Sequence, residues 1–86
     1  MTWEKAKQTY EFGQEIEGTV IRKYPFGDFL EVVSEQEFTV LIQIVDIKDL
    51  TPEVYRSGNY TPIGTKIKGK IVDFRDYNTQ IVISQK

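Results

Sequence analysis

The groups able to do chemistry in this 86-residue chain are lysines, carboxylates and aromatic rings, because histidine and cysteine are both absent. That absence excludes a disulfide framework and any thiolate metal site, and removes the commonest metal ligand and general base. The most regular charged set is Lys66, Lys68 and Lys70, which alternates with Ile67, Gly69 and Ile71. In a strand this period puts the three ammonium groups on one face. Such a strip can track a phosphate backbone with salt-sensitive affinity, or it can be a solvated outer face that resists edge association. Asp28, Glu31, Glu35 and Glu37 form a carboxylate set. A set of that kind suggests divalent-cation binding or acid–base work. Nothing in its spacing supports a preformed site, so exposed hairpin charge, repelling phosphate, is the ordinary explanation. No catalytic residue, metal ligand or cofactor is assigned, and the chain is not read as an enzyme.

The elements that must position these groups are strands. From Glu15, residues Ile16, Gly18 and Val20 share one face and Glu15, Glu17 and Thr19 the other, the period of a half-buried strand. After Tyr24 and Pro25 a second run covers Phe26 to Val33, and a four-residue polar connection, Ser34 to Glu37, leads to a third, Phe38 to Ile44. The segment Asp46 to Thr61 changes character: Thr51 is an N-cap candidate with Pro52 at the first helical position, so a short helical turn is expected. Ile63 and Gly64 open a fourth strand and Gln80 to Ser84 form a fifth that buries Ile81 and Ile83. The spacing Gly13, Ile16, Gly18, Val20 recurs as Gly64, Ile67, Gly69, Ile71. It reads as two strands that each follow a glycine turn and place an interior glycine where the sheet bends or another backbone comes close. Five short strands with no helix of normal length point to a small barrel. Residues 1–10 fit a short helix through Trp3, Ala6 and Tyr10, and equally a frayed lead-in.

Composition sets the remaining bounds. With 40% hydrophobic and 28% charged residues the chain is an ordinary folded domain, and its length suits one modest core. No run reaches the length of a membrane span and the start lacks a secretory pattern, so a cytoplasmic monomer is expected. The net charge of −2 lacks a basic footprint, but residues 63–86 carry +3 and residues 1–62 carry −5.

Gly18 and Val20, followed by Phe26, Gly27, Asp28, Phe29 and Leu30, resemble the opening of the S1 RNA-binding domain family, in which a glycine and valine precede an aromatic-Gly-x-Phe-Val strand. Leu41 to Ile47 is similar to the family's Leu-hydrophobic-His-hydrophobic-Ser-acidic-hydrophobic segment, and Ile63-Gly64 and Ile81 to Ser84 to its Val-Gly and Ile-x-Leu-Ser elements. The resemblance runs from Phe12 to Lys86. It implies a single all-β, five-stranded OB-type barrel over residues 12–86, preceded by a lead-in of residues 1–11, with the helical turn between strands three and four.

It also implies a site. In the family two aromatics on strand two, a histidine on strand three, and an Asp and an Arg around the last hairpin face RNA. By position these are Phe26 and Phe29, Gln43, Asp76, with Arg75 as a competing alignment, and Gln80. Gln43 and Gln80 can hydrogen-bond a base or phosphate but supply no charge, so affinity should fall below the family norm. Phe26 and Phe29 lie three apart and an unbroken strand would send them to opposite faces, so a bulge at Gly27 is needed to unite them. Tyr24 and Tyr77, in loops, extend that platform or cap the barrel. Arg22, Lys23, Arg75 and the lysine strip are the phosphate contacts. The expected function is weak, sequence-tolerant binding of single-stranded RNA. The alternative is a protein-interaction module with a degenerate RNA face, docking on ribosomal or RNA-processing proteins through the Asp46 to Thr61 loop.

Overall fold

A computed structural model describes residues 1–58 and 60–86, so that Asn59, inside the long loop, lies outside the described residues. Five strands close into one barrel in the order β1-β2-β3-β5-β4: β1 Glu15–Tyr24, β2 Gly27–Glu31, β3 Thr39–Gln43, β4 Lys66–Arg75 and β5 Gln80–Ser84. Four of the pairings are antiparallel, and β3 with β5 is parallel. Val40 to Ile42 and Ile81 to Ile83 read as continuous apolar runs because β3 and β5 are buried on both faces, all six residues being buried. Val20, Leu30, Val40, Ile42, Ile67, Ile71, Ile81 and Ile83 fill the interior. Each contributes about 1.5–3 kcal/mol relative to exposure.

The recurring glycine spacing has a direct cause. The two copies pair with each other, Ile16 opposite Gly69 and Gly18 opposite Ile67. A Cβ on Gly18 would stand 2.9 Å from the Leu30 Cβ, and one on Gly69 3.0 Å from the Ile83 Cδ1. The missing side chains let β1 and β4 coil tightly over the core.

Residues 1–10 resolve to a helix, α1, Trp3–Thr9, capped by the Thr2 side chain and burying Trp3 and Ala6. Trp3 packs 6.2 Å from both Phe38 and Phe74, so α1 covers the barrel end where β4 turns into β5. The helical turn of the long loop is α2, Pro52–Ser57, with the Thr51 side chain accepting from the Val54 backbone N–H. Three strands are shorter than the sequence suggests, β3 by one residue at each end. β2 ends at Glu31 because the Gln36 side chain takes over the backbone partners, accepting from Val32 N and donating to Leu30 O and Phe38 O. β4 begins at Lys66 because Gly64 sits at a φ of 95° and donates to Val20 O, which leaves Ile63 two-thirds exposed.

Candidate nucleic-acid interface

The β1–β2 hairpin turns through Pro25 and Phe26 alone, with Tyr24 opposite Gly27 as its closing pair. Phe26 therefore lies in the turn, outside the alternation that governs Phe29, and the two rings meet 6.1 Å apart in an edge-on arrangement. Tyr24, at the end of β1 and not in a loop, stacks on Phe26 at 5.3 Å and meets Phe29 edge-on at 5.2 Å. Phe26 is 54% exposed and Tyr24 37%. Three rings thus form one partly exposed cluster without the expected bulge, since the ladder runs regularly through Gly27 on both sides. Gly27 is required for a different reason: a Cβ there would collide with the Ile42 carbonyl oxygen of β3.

The irregularity lies instead on β1, where Val20 pairs with Leu30 but Arg22 pairs with Phe29, leaving Ile21 as the extra residue. Without it Ile21 would stand opposite Phe29 and Arg22 opposite Asp28. The bulge puts the exposed Arg22 opposite Phe29 in the register and Lys23 opposite Asp28, to which its ammonium donates.

That exchange overturns the reading of Asp28 as exposed hairpin charge, for Asp28 has no exposure at all. Its carboxylate accepts from Lys23 Nζ at 2.9 Å and from the Thr61 hydroxyl at 2.5 Å. Lys23 Nζ also donates to Tyr60 O and Thr61 O and lies 3.9 Å from the centre of the Tyr60 ring. Lys23 is therefore a fully engaged internal cation where a phosphate contact was expected. The network holds Thr61 at a φ of 36°, a left-handed conformation that a β-branched residue adopts only under constraint. With the Tyr55 hydroxyl donating to Pro25 O, it clamps the long loop to the hairpin that carries the rings.

Gln43 stands opposite Gly27, half-buried, and its amide makes no hydrogen bond among the described residues. The other family positions gather at the far end of β3, because Thr39 pairs with Gln80 and Gln80 with Arg75. Gln80 is buried, donating to the Thr39 hydroxyl and accepting from Arg75 Nη1. Arg75 also meets Asp73 at 3.2 Å. Asp76 accepts at 2.8 Å from both Lys7 Nζ and the Trp3 indole. The Lys7 hydrogen bond, followed by that of Trp3, holds its carboxyl below the usual range, and the same pair raises Lys7. Tyr77, 81% exposed, lies at this far end and does not extend the ring cluster. Lys66, Lys68 and Lys70 face outward on β4 opposite Thr19, Glu17 and Glu15. Lys48 was missed by sequence reasoning, since only the fold brings it near this strip. Among the described residues no cluster of acidic side chains is arranged to hold a metal ion.

No protein-family model matches the chain, and no curated protein matches it. Solved structures do. The chain is similar to the uncharacterized protein MJ1198 from Methanocaldococcus jannaschii, at 21% identity and a TM-score of 0.67, covering 87% of this chain and 90% of that one. GSP13 from Bacillus subtilis matches at 17% identity and a TM-score of 0.68 over 87% of this chain. A chain of the a/eIF2alpha–aDim2p–rRNA complex from Pyrococcus horikoshii matches at 22% identity and a TM-score of 0.70 over 90% of this chain. The present chain spans about half the length of these last two, 55% and 45% respectively. With the closed order β1-β2-β3-β5-β4, these likenesses establish the fold: a closed five-stranded barrel of the OB type.

Proposed function

We propose that the chain is a small cytoplasmic RNA-binding module and not an enzyme, and that it binds single-stranded RNA weakly and with little sequence preference on the Tyr24, Phe26 and Phe29 rings. The observation that carries this reading is the ring cluster itself: three aromatics meet at an exposed turn, with Arg22 opposite Phe29 and the unengaged Gln43 amide opposite Gly27. Bases stack on such rings whatever their identity, at about 1–3 kcal/mol per base. Arg22 is the cation for the adjoining phosphate, and Gln43 offers a donor and an acceptor to a base edge. That a similar chain belongs to a complex containing rRNA supports RNA as the ligand class. Lys23 and Gln80 have internal partners and hold the barrel in shape, while Asp76 and Arg75 are paired at the far end.

The test is an NMR titration with mixed-sequence single-stranded RNA at low salt. Wild type should show shifts centred on residues 22–29 and 43. Phe26→Ala/Phe29→Ala should keep a dispersed spectrum and lose the shifts; equal binding by that variant refutes the site.

One observation favours the protein-interaction alternative, an apolar groove of about 400 Å³ between Ile44 and Val45, just before the long loop, and Leu50 and Tyr55 within it. Val45 there is 67% exposed. Complete silence toward RNA in the same titration would favour a ribosomal or RNA-processing protein as the partner.

A further inference from the structure

A second concave surface opens on the side of the barrel where β4 meets β5. It is a cleft of about 480 Å³ whose charged lining is Lys48, Lys68, Lys70 and Lys86 against Glu15 and Asp49. Four cations against two anions make it a local positive focus in a chain of net charge −2. The lysines of the cleft make no ion pair and no side-chain hydrogen bond among the described residues, whereas Lys7, Lys23 and Arg75 are each paired. Clustered like charges raise the energy of the folded chain and attract polyanions.

The cleft is fixed by its own hydrogen bonds. Gln85 accepts from Lys48 N at 2.9 Å through its side chain, donates from the same amide to Lys68 O at 3.1 Å, and donates from its backbone to Asp46 O. These bonds tie the segment after β3 to β4 and hold Lys48 across from Lys68.

Its position relative to the rings follows from the strand register. Gly27 pairs with Gln43, the β3–β5 ladder continues from Ile42 and Ile83 to bring Gln43 level with Ser84, and Ser84 pairs with Lys70. Three strand spacings of about 4.8 Å therefore separate the ring-bearing turn from Lys70, a span of about 14 Å. That is within reach of the roughly 4–16 nucleotides that one OB barrel engages.

We propose that the cleft is a second phosphate-binding site, occupied by the backbone of the same single-stranded RNA that stacks on Tyr24, Phe26 and Phe29; the inference rests on that reading. Lysine ammonium groups act as point charges without the directional demand of a guanidinium fork, so they hold a backbone irrespective of the bases it carries. The charged lining, with no large apolar side chain to seat a peptide anchor, favours a nucleic-acid backbone over an acidic peptide.

The test compares wild type, Lys48→Gln/Lys68→Gln/Lys70→Gln, Phe26→Ala/Phe29→Ala and a control, Lys5→Gln/Arg56→Gln. Each is titrated by fluorescence anisotropy with labelled single-stranded RNAs of about 4 and about 16 nucleotides, the range of OB site sizes. For the longer RNA the triple lysine variant should flatten the dependence of log K on log salt by about 2, from about 0.7 for each phosphate contact. Between roughly 50 and 200 mM salt it then loses about 20-fold less affinity than wild type. The control variant should behave as wild type with both RNAs. An unchanged slope in the triple variant, with binding still abolished by the phenylalanine changes, overturns the cleft and leaves the ring site standing. A flattened slope with silent phenylalanine changes keeps the cleft and overturns the ring site. Binding of labelled poly-glutamate with no binding of either RNA overturns both.

Discussion

Replacing Asp28 by asparagine separates two opposed accounts of one residue. Asp28 lies between Phe26 and Phe29 in sequence, so as a surface charge it would repel phosphate; in the fold it has no exposure and faces Lys23 Nζ at 2.9 Å and Thr61 Oγ1 at 2.5 Å. Asparagine keeps the shape and removes the charge. The Thr61 hydroxyl can rotate to accept from the new amide, so the interaction lost is the pair with Lys23, whose side chain is only 23% exposed. A hydrogen bond between charged partners contributes about 1.5–3 kcal/mol. In a domain of this size 1 kcal/mol moves Tm by about 4–8 °C, so Asp28→Asn should lower Tm by about 6–24 °C. Asp28→Ala, which strands the ammonium beside an empty space, should cost about 3–5 kcal/mol. Thermal unfolding by circular dichroism measures both, and a cycle with Lys23→Met should return a coupling of about 0.5–3 kcal/mol. RNA affinity of folded Asp28→Asn should not rise. An unchanged Tm together with tighter RNA binding would refute the internal clamp and restore Asp28 to the surface.

Other expectations follow from single contacts. Trp3 is the only tryptophan and bonds to Asp76, so its fluorescence reports the docking of α1. The Asp76 carboxyl is held below its ordinary 3.8, so the stabilisation is present above that value and is lost as pH falls through the lowered one. For Lys7, raised above 10.5, the contribution is lost as pH rises through the raised value. Trp3 emission should therefore shift in strong acid, and Asp76→Ala should produce the same shift at neutral pH; a silent variant removes the latch. Gly27→Ala should cost at least about 1–3 kcal/mol by overpacking against a carbonyl that cannot yield, and an unchanged denaturant midpoint would contradict that close approach. Thr51→Ala removes the cap of α2 and should cost about 1 kcal/mol, read as faster amide exchange at Val54 and Tyr55. Tyr60 titrates above its ordinary 10.0, first through burial and then through Asp28. In an alkaline absorbance titration Asp28→Asn should bring it partway down.

Whatever depended on local period was legible before any fold was known. The alternation from Glu15, the fifth strand at Gln80 to Ser84 and the Thr51-Pro52 helix start record constraints between residues a few positions apart, and the glycine spacing, although its cause is the β1–β4 pairing, repeats visibly within two short runs. The clamp under the rings was not legible, because it depends on one bulge. Its local sign is the succession of Val20 and Ile21, two apolar residues where the strand should alternate. With no partner strand in view, that succession does not reveal which of Arg22 and Lys23 turns inward. The engagement of Asp76 by α1 was equally hidden, since Lys7 and Asp76 lie 69 residues apart.

Once the charges are placed, the acidity of the chain has a different meaning for a polyanion. Asp28 is neutralised internally by Lys23, and Asp76 is paired with Lys7. The carboxylates left exposed on the β2–β3 side, Glu31, Glu35 and Glu37, lie at the end of β2 away from the ring-bearing turn. One end of the strand-two face therefore repels phosphate, while the other carries aromatic rings and leads, through Gln43 and Ser84, to the lysine cleft. In the proposed binding mode this division keeps RNA off the acidic end of the barrel. Charge reversal at Glu35 and Glu37 should accordingly strengthen binding and blur its orientation, which paramagnetic labels at either end of a 16-nucleotide RNA would detect as broadening spread over both ends of the barrel.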